Sequence, residues 1–330
     1  LSADGGSVLL TARAVEGVVN NVINMDGMVE ARSVSVVNGE IILDGGETGI
    51  VSVAGTLDAS GRAAGETGGA VKVLGDKVGL FAGANIDASG DAGGGEVLVG
   101  GNFQGKGTER NASRTFVASD ASIAADAITA GNGGRVIVWA DEITRYYGDI
   151  SATGGATGGN GGFVEVSGKQ KLNFNGTVDL AAANGLGGNL LLDPLNITIS
   201  NGADANTAGF TAGAAGANNV EAFAEDAGLN SVFDVTATTG SFAGVAAGAT
   251  ITLQATNNIT LANDFVLATS TGNANVSLIL DAGNDIAINA NLTADGTGAI
   301  TLNADVNTPD GTGAITQGAT TNIITQANGT

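Results

Sequence analysis

Few residues in this chain could do chemistry, and they are of few types. The 330 residues include no Cys and no His. Thiol and imidazole catalysis, His- or Cys-held metals and disulfides are therefore excluded. What remains is mostly carboxylate, 33 Asp+Glu against 12 Lys+Arg, for a net charge of −21. Two of these acids share a repeated block, Thr56-Leu57-Asp58-Ala59-Ser60-Gly61 and Asn85-Ile86-Asp87-Ala88-Ser89-Gly90. If the blocks stack about 4.8 Å apart, as paired strands do, Asp58 and Asp87 could hold Ca²⁺ together with backbone carbonyls, because hard cations take oxygen ligands. The competing reading is that each Asp closes an Asx turn and faces water. The glycine- and aspartate-rich nonapeptide of calcium solenoids is absent, which favours the turn, so no metal or cofactor is expected.

Other chemistry finds less support. Cleavage of an acidic polysaccharide needs acids and bases converging on one face, yet Lys72 and Arg135 have no basic companions in neighbouring repeats. Arg135 aligns with Glu96 instead, as an exposed ion pair contributing under about 1 kcal/mol. Scattered basic residues also argue against nucleic acid, which requires basic clusters to neutralise phosphates, and against an anionic membrane surface. The Gly-rich run from Gly154 to Gly162 lacks the Lys-Ser/Thr ending of a phosphate loop. Trp139, Tyr146 and Tyr147 are the only Trp and Tyr residues, and aromatics stack on sugars and anchor interfaces. With Leu98, Ile137 and Leu191 they form a possible interaction surface. The alternative is a hydrophobic cover beneath an insertion. No enzymatic centre is expected.

The elements that would position these residues repeat. Two glycines followed by alternating apolar residues recur at Gly68-Gly69, Gly94-Gly95, Gly133-Gly134, Gly161-Gly162 and Gly187-Gly188, in steps of 26, 39, 28 and 26 residues. The second block, aligned on Leu57, Ile86, Ile123, Ile150 and Val178, steps by 29, 37, 27 and 28. Both lengthen in the same interval, so one insertion, about residues 105–115, accounts for the difference. A period in the twenties marks one unit stacked many times. Two or three short strands per period, separated by Gly/Asn/Asp turns, predict an all-β parallel β-helix. Roughly a dozen coils would make a rod about 55–60 Å long. The 43% hydrophobic content and positive mean hydropathy argue against disorder, the other reading that 55 glycines invite.

Alternation assigns faces. Val71/Val73, Val97/Val99, Val136/Val138, Val164/Val166 and Leu190/Leu192 point inward. Lys72, Leu98, Ile137, Glu165 and Leu191 point outward, and three of these five are apolar, which hints at a face covered by a loop or another chain. Residues 1–200 read as coils. Residues 201–248 read as an irregular decoration with a short helix over Asn219 to Gly228, capped by Asn219 and stopped by Gly228. Coils resume over 249–330, with Ile251, Val276 and Ile300 aligned and an irregular or frayed end near Ile315. The longest apolar runs are too short for a spanning helix. The N-terminus lacks the features of a signal peptide and begins inside a repeat, so the chain is expected to be a piece of something longer.

Between Gly131 and Ser200 the residues resemble a known family. Gly133-Gly134-Arg135-Val136-Ile137-Val138-Trp139-Ala140 with Thr144-Arg145-Tyr146-Tyr147-Gly148 is similar to the filamentous haemagglutinin-like exoproteins of two-partner secretion. So are Gly161-Gly162-Phe163-Val164-Glu165-Val166-Ser167-Gly168-Lys169 and Leu190-Leu191-Leu192-Asp193-Pro194. The resemblance implies a right-handed parallel β-helix from a large extracellular or cell-surface protein of a Gram-negative bacterium, exported through a cognate outer-membrane transporter. It implies a role in adhesion or biofilm formation, with a host or bacterial surface glycan or protein as partner, and no catalytic residues. Neither the family's secretion domain nor a toxin-like end occurs in these residues, so the segment reads as shaft. The alternatives are a self-assembling extracellular fibre and the stalk of a contact-dependent toxin-delivery protein.

Overall fold

The structure is a computed structural model that describes residues 1–12, 21–34, 38–81, 83–202, 223, 230–237, 240–306 and 311–326. Its spine is a ten-stranded, all-parallel sheet made of Ser7–Thr11, Glu40–Asp44, Ala70–Leu74, Glu96–Val99, Arg135–Ala140, Phe163–Gly168, Asn189–Leu192, Thr250–Ala255, Ser277–Ala282 and Ile300–Asn303. Each strand pairs with its copy one coil later. A second face stacks six strands from Asn21–Met25 to Lys171–Phe174, and a third stacks six from Met28–Glu30 to Thr177–Asp179. This is a parallel β-helix, and the aligned column Leu57–Ile86–Ile123–Ile150–Val178 is in register throughout. Ten strands at the strand spacing give a rod of roughly 45 Å, shorter than a dozen coils would make.

The inward residues build the core. Val71, Val73, Val97, Val99, Val136, Val138, Val164, Val166, Leu190 and Leu192 are all fully buried. β-branched side chains suit this pleated interior. The Gly-Gly pairs sit where each coil turns from the third face into the first, and two backbones meet there. A Cβ on Gly94 would lie 1.9 Å from the Ala125 carbonyl oxygen, and one on Gly133 would lie 2.1 Å from that of Ala152. Only glycine lets the coils approach this closely.

The second half departs from the expected plan in three places. Asn189–Leu192 pairs directly with Thr250–Ala255, so no described strand of the first face lies between them. Part of that interval enters the rod: Asn230–Asp234 pairs with Asn196–Ser200 on the second face, and the Leu172 amide donates to Ser231 Oγ at 2.8 Å. Phe233, Phe242 and Val245 are buried. The decoration is thus, in its described part, a wedge between coils. The helix expected over 219–228 lies outside the described residues apart from Phe223. Further on, Ile251 pairs with Leu278 and Leu278 with Ile300, two residues away from the Val276 alignment. Ile315–Gln317 pairs with Ile286–Ile288 on the second face, so it continues a ladder where a frayed copy of the first face was expected.

Candidate functional site

Asp58 and Asp87 are register partners on the third face, as the repeat implied. Each closes a turn. Asp58 Oδ1 accepts from the Ser60 amide at 3.0 Å and from Ser60 Oγ at 2.6 Å, and Asp87 Oδ1 accepts from the Ser89 amide at 2.9 Å. The outer oxygens are taken by arginines one coil earlier: Arg32 Nε lies 2.7 Å from Asp58 Oδ2, and Arg62 pairs with Asp87 Oδ2. Burial acts to raise the Asp58 pKa, but the Ser60 and Arg32 hydrogen bonds outweigh it and hold the carboxyl below its ordinary value. The oxygens that a cation would need already serve the turns and the arginines. Among the described residues no group of three or more acids is disposed to hold a metal. Millimolar Ca²⁺ is therefore expected to leave the thermal midpoint unchanged. A rise that saturates with Ca²⁺ and disappears in Asp58→Asn would restore the ion-site reading.

The outward column of the first face runs Lys72–Leu98–Ile137–Glu165–Leu191 in register, and a strap covers it. Residues 100–113 leave the strand Glu96–Val99, cross the sheet and return to Arg114–Val117, which begins within the insertion expected at about 105–115. Asn102 Oδ1 accepts from the Phe103 amide at 2.7 Å to start a short 3₁₀ turn, Phe103–Gly105. Phe103 packs edge-on against Phe163 at 5.7 Å, with Arg135 5.8 Å above its ring. Gly105 has φ +62, and a Cβ there would meet the Trp139 ring at 2.6 Å, so the strap backbone lies directly on the indole. Trp139 Nε1 donates to Asp141 Oδ1 at 3.1 Å, and Asn111 ties the same oxygen to the Gly105 carbonyl.

The anchors of the strap spread along the rod. Glu109 pairs with Lys72 at 3.3 Å and Arg110 approaches Asp44 and Glu47 at 4.0 Å. At the other end, Gln104 Nε2 donates to Gln254 Oε1 at 3.1 Å. The strap therefore engages strands from the second to the eighth of the sheet. Its tip also reaches Glu165, whose two oxygens receive the Gln104 amide at 3.2 and 3.1 Å. Glu165 is completely buried. Burial pushes its pKa up to about 7 against the Gln104 and Ser167 hydrogen bonds, with Asp193 adding to the rise. Burial likewise lifts Asp193 to about 7, opposed by Lys106.

The six residues nominated as an interaction surface do not form an exposed patch. Leu98, Ile137 and Trp139 make a small second core beneath the strap, so the cover is a loop of the chain itself. Leu191 is 5% exposed. Tyr146 points into the rod, stacked on Phe174 at 5.3 Å, with its hydroxyl donating to the Thr177 carbonyl at 2.9 Å. Burial, and then Asp149, raise its pKa well above the ordinary value. Tyr147 packs on Phe116 at 6.2 Å. Parity gave these side chains a direction, but not what lies above them. Sequence reasoning missed Gln104, Asp193 and the burial of Glu165. The one available signal was an acid alone between Ile137 and Leu191. Beside the strap, an open groove of about 410 Å³ runs over the Gly-Gly corner, walled by Asn132, Arg135, Phe163 and Asn189. Arg135 is already engaged there by Glu96 and Asn102. The chain matches no protein-family model and no curated protein.

Proposed function

We propose that this chain is the non-enzymatic shaft of a secreted or cell-surface adhesin of the filamentous haemagglutinin type, exported by a cognate outer-membrane transporter of a Gram-negative bacterium. The observation that carries the reading is the uninterrupted parallel ladder of ten strands. Every coil is hydrogen-bonded to the next, so the stack resists bending and can hold a binding element away from its base. The covered column supports a rod that acts singly. Leu98 and Ile137, the apolar residues that could have joined rods sideways into a fibre, are buried under the chain's own strap. Immunogold labelling of intact cells that encode the chain, with an in-frame deletion of residues 1–330 as comparison, tests the proposal. The expected result is label projecting from the outer membrane and reduced attachment of the deletion strain to host cells or to other bacteria. Label confined inside the cell, or unchanged attachment, would overturn it.

A further inference from the structure

We propose that the strap 100–113 is a proton-controlled cover, closed over Leu98, Ile137 and Trp139 while Glu165 carries a proton and released when that proton is lost. Glu165 is the only acid in the outward column Lys72–Leu98–Ile137–Glu165–Leu191, and it is fully buried. From the strap, the Gln104 amide donates to both of its oxygens. Gln104 stands at φ 53, a left-handed backbone that a non-glycine residue adopts at a cost. A closed strap thus holds its tip in a strained conformation on a carboxyl that water cannot reach.

The charged groups around Glu165 do not neutralise it. On the strap, Glu109 pairs with Lys72, Arg110 faces Asp44 and Glu47, and Lys106 Nζ donates to Gln104 Oε1 at 2.8 Å. On the neighbouring strand, Arg135 acts against the rise in the Glu165 pKa but is itself paired with Glu96, and Asp141 beyond it serves Trp139 and Asn111. From the next coil comes Asp193, a second carboxyl that opposes the charge on Glu165. Lys169, in the turn after the strand of Glu165, is exposed. Ser167 and Gln254 are neutral.

The direction follows from which state binds the proton more tightly. With the strap open, water reaches Glu165 and its pKa returns toward the ordinary 4.5; with the strap closed it is about 7. Closure is therefore fully favoured below the ordinary carboxyl range and weakens as pH rises through about 7. Asp193 behaves in the same sense.

Trp139 is the only tryptophan in the chain and lies under the strap, so it reports closure directly. The experiment follows its emission and its quenching by acrylamide across about two pH units either side of neutrality, the range that brackets the buried carboxyl. Far-UV circular dichroism confirms in parallel that the sheets stay intact. The expected result is a red shift and severalfold stronger quenching on the alkaline side, with Glu165→Gln remaining blue and protected throughout. Asp193→Asn, which removes the opposing charge, reduces the alkaline rise and serves on its own if Glu165→Gln does not fold. Flat quenching in the wild-type chain, or variants that titrate as the wild type does, would overturn the proposal.

Discussion

Gly94→Ala is expected to destabilise the rod by about 3–5 kcal/mol, an effect at the top of the range for one methyl group. The added Cβ would lie 1.9 Å from the Ala125 carbonyl oxygen and 2.3 Å from the Gly134 nitrogen. Those two atoms belong to one backbone hydrogen bond, Gly134 to Ala125 at 2.7 Å. The methyl group therefore falls on the contact that closes the next coil, and no side chain is available to move aside. Relief requires separating two coils, which disturbs pairing on all three faces. Gly27→Ala is the control, because nothing lies within 4 Å of its Cβ position, and it is expected to be neutral or slightly stabilising. Urea and thermal melting of both variants check the prediction. Equal losses at the two glycines would mean that conformational freedom, and not close approach, explains the Gly-Gly column.

Phe233→Ala carries the second large effect, a loss of about 3–5 kcal/mol expected for emptying a fully enclosed aromatic site. Phe233 lies on the strand that wedges into the second face where the first run of coils gives way to the next. An aromatic chain crosses that junction. Tyr146 stacks on Phe174, Phe174 meets Phe233 at 6.5 Å, Phe233 meets Phe242 at 5.9 Å, and Phe242 stacks on Phe265 at 5.4 Å. Backbone pairing between Lys171–Phe174 and Asn196–Ser200 is interrupted there by the inserted strand, so on this face ring packing joins the two runs, beside the first-face ladder that continues past the junction. Truncating the middle ring is expected to uncouple the two runs and split one melting transition into two, since stacked repeats cooperate only through their interfaces. Leu186→Ala, at a site 74% exposed, should leave melting within about 0.5 kcal/mol of the parent. A single unshifted transition in Phe233→Ala would show that the wedge is not structural.

Much of this fold was legible because its period is set by short-range rules. The Gly-Gly corners and the column from Leu57 to Val178 fixed register for five successive coils, and alternation identified the buried valines. The insertion and a covered outward column were also readable, since Leu98 and Ile137 are apolar where a solvated face should be polar. Alternation fails in a defined way further on. Val276, Leu278 and Leu280 share one parity, so a slip of two residues leaves the apolar pattern unchanged, and the pairing of Ile251 with Leu278 could not be chosen over Val276. The wedge strand Asn230–Asp234 has no repeat partner in sequence that would mark it as part of the stack. The environment of Glu165 was invisible because its cover is set by Gln104, 61 residues away, through a contact that no local pattern encodes.

The most direct test of the central claim is electron microscopy of the purified chain over a wide concentration range. A shaft of stacked coils with its apolar column under its own strap predicts separate rods of roughly 45 Å, ten strands at the strand spacing, with length and width independent of concentration. Compact particles without an elongated axis, or fibres that lengthen and bundle as concentration rises, would contradict it.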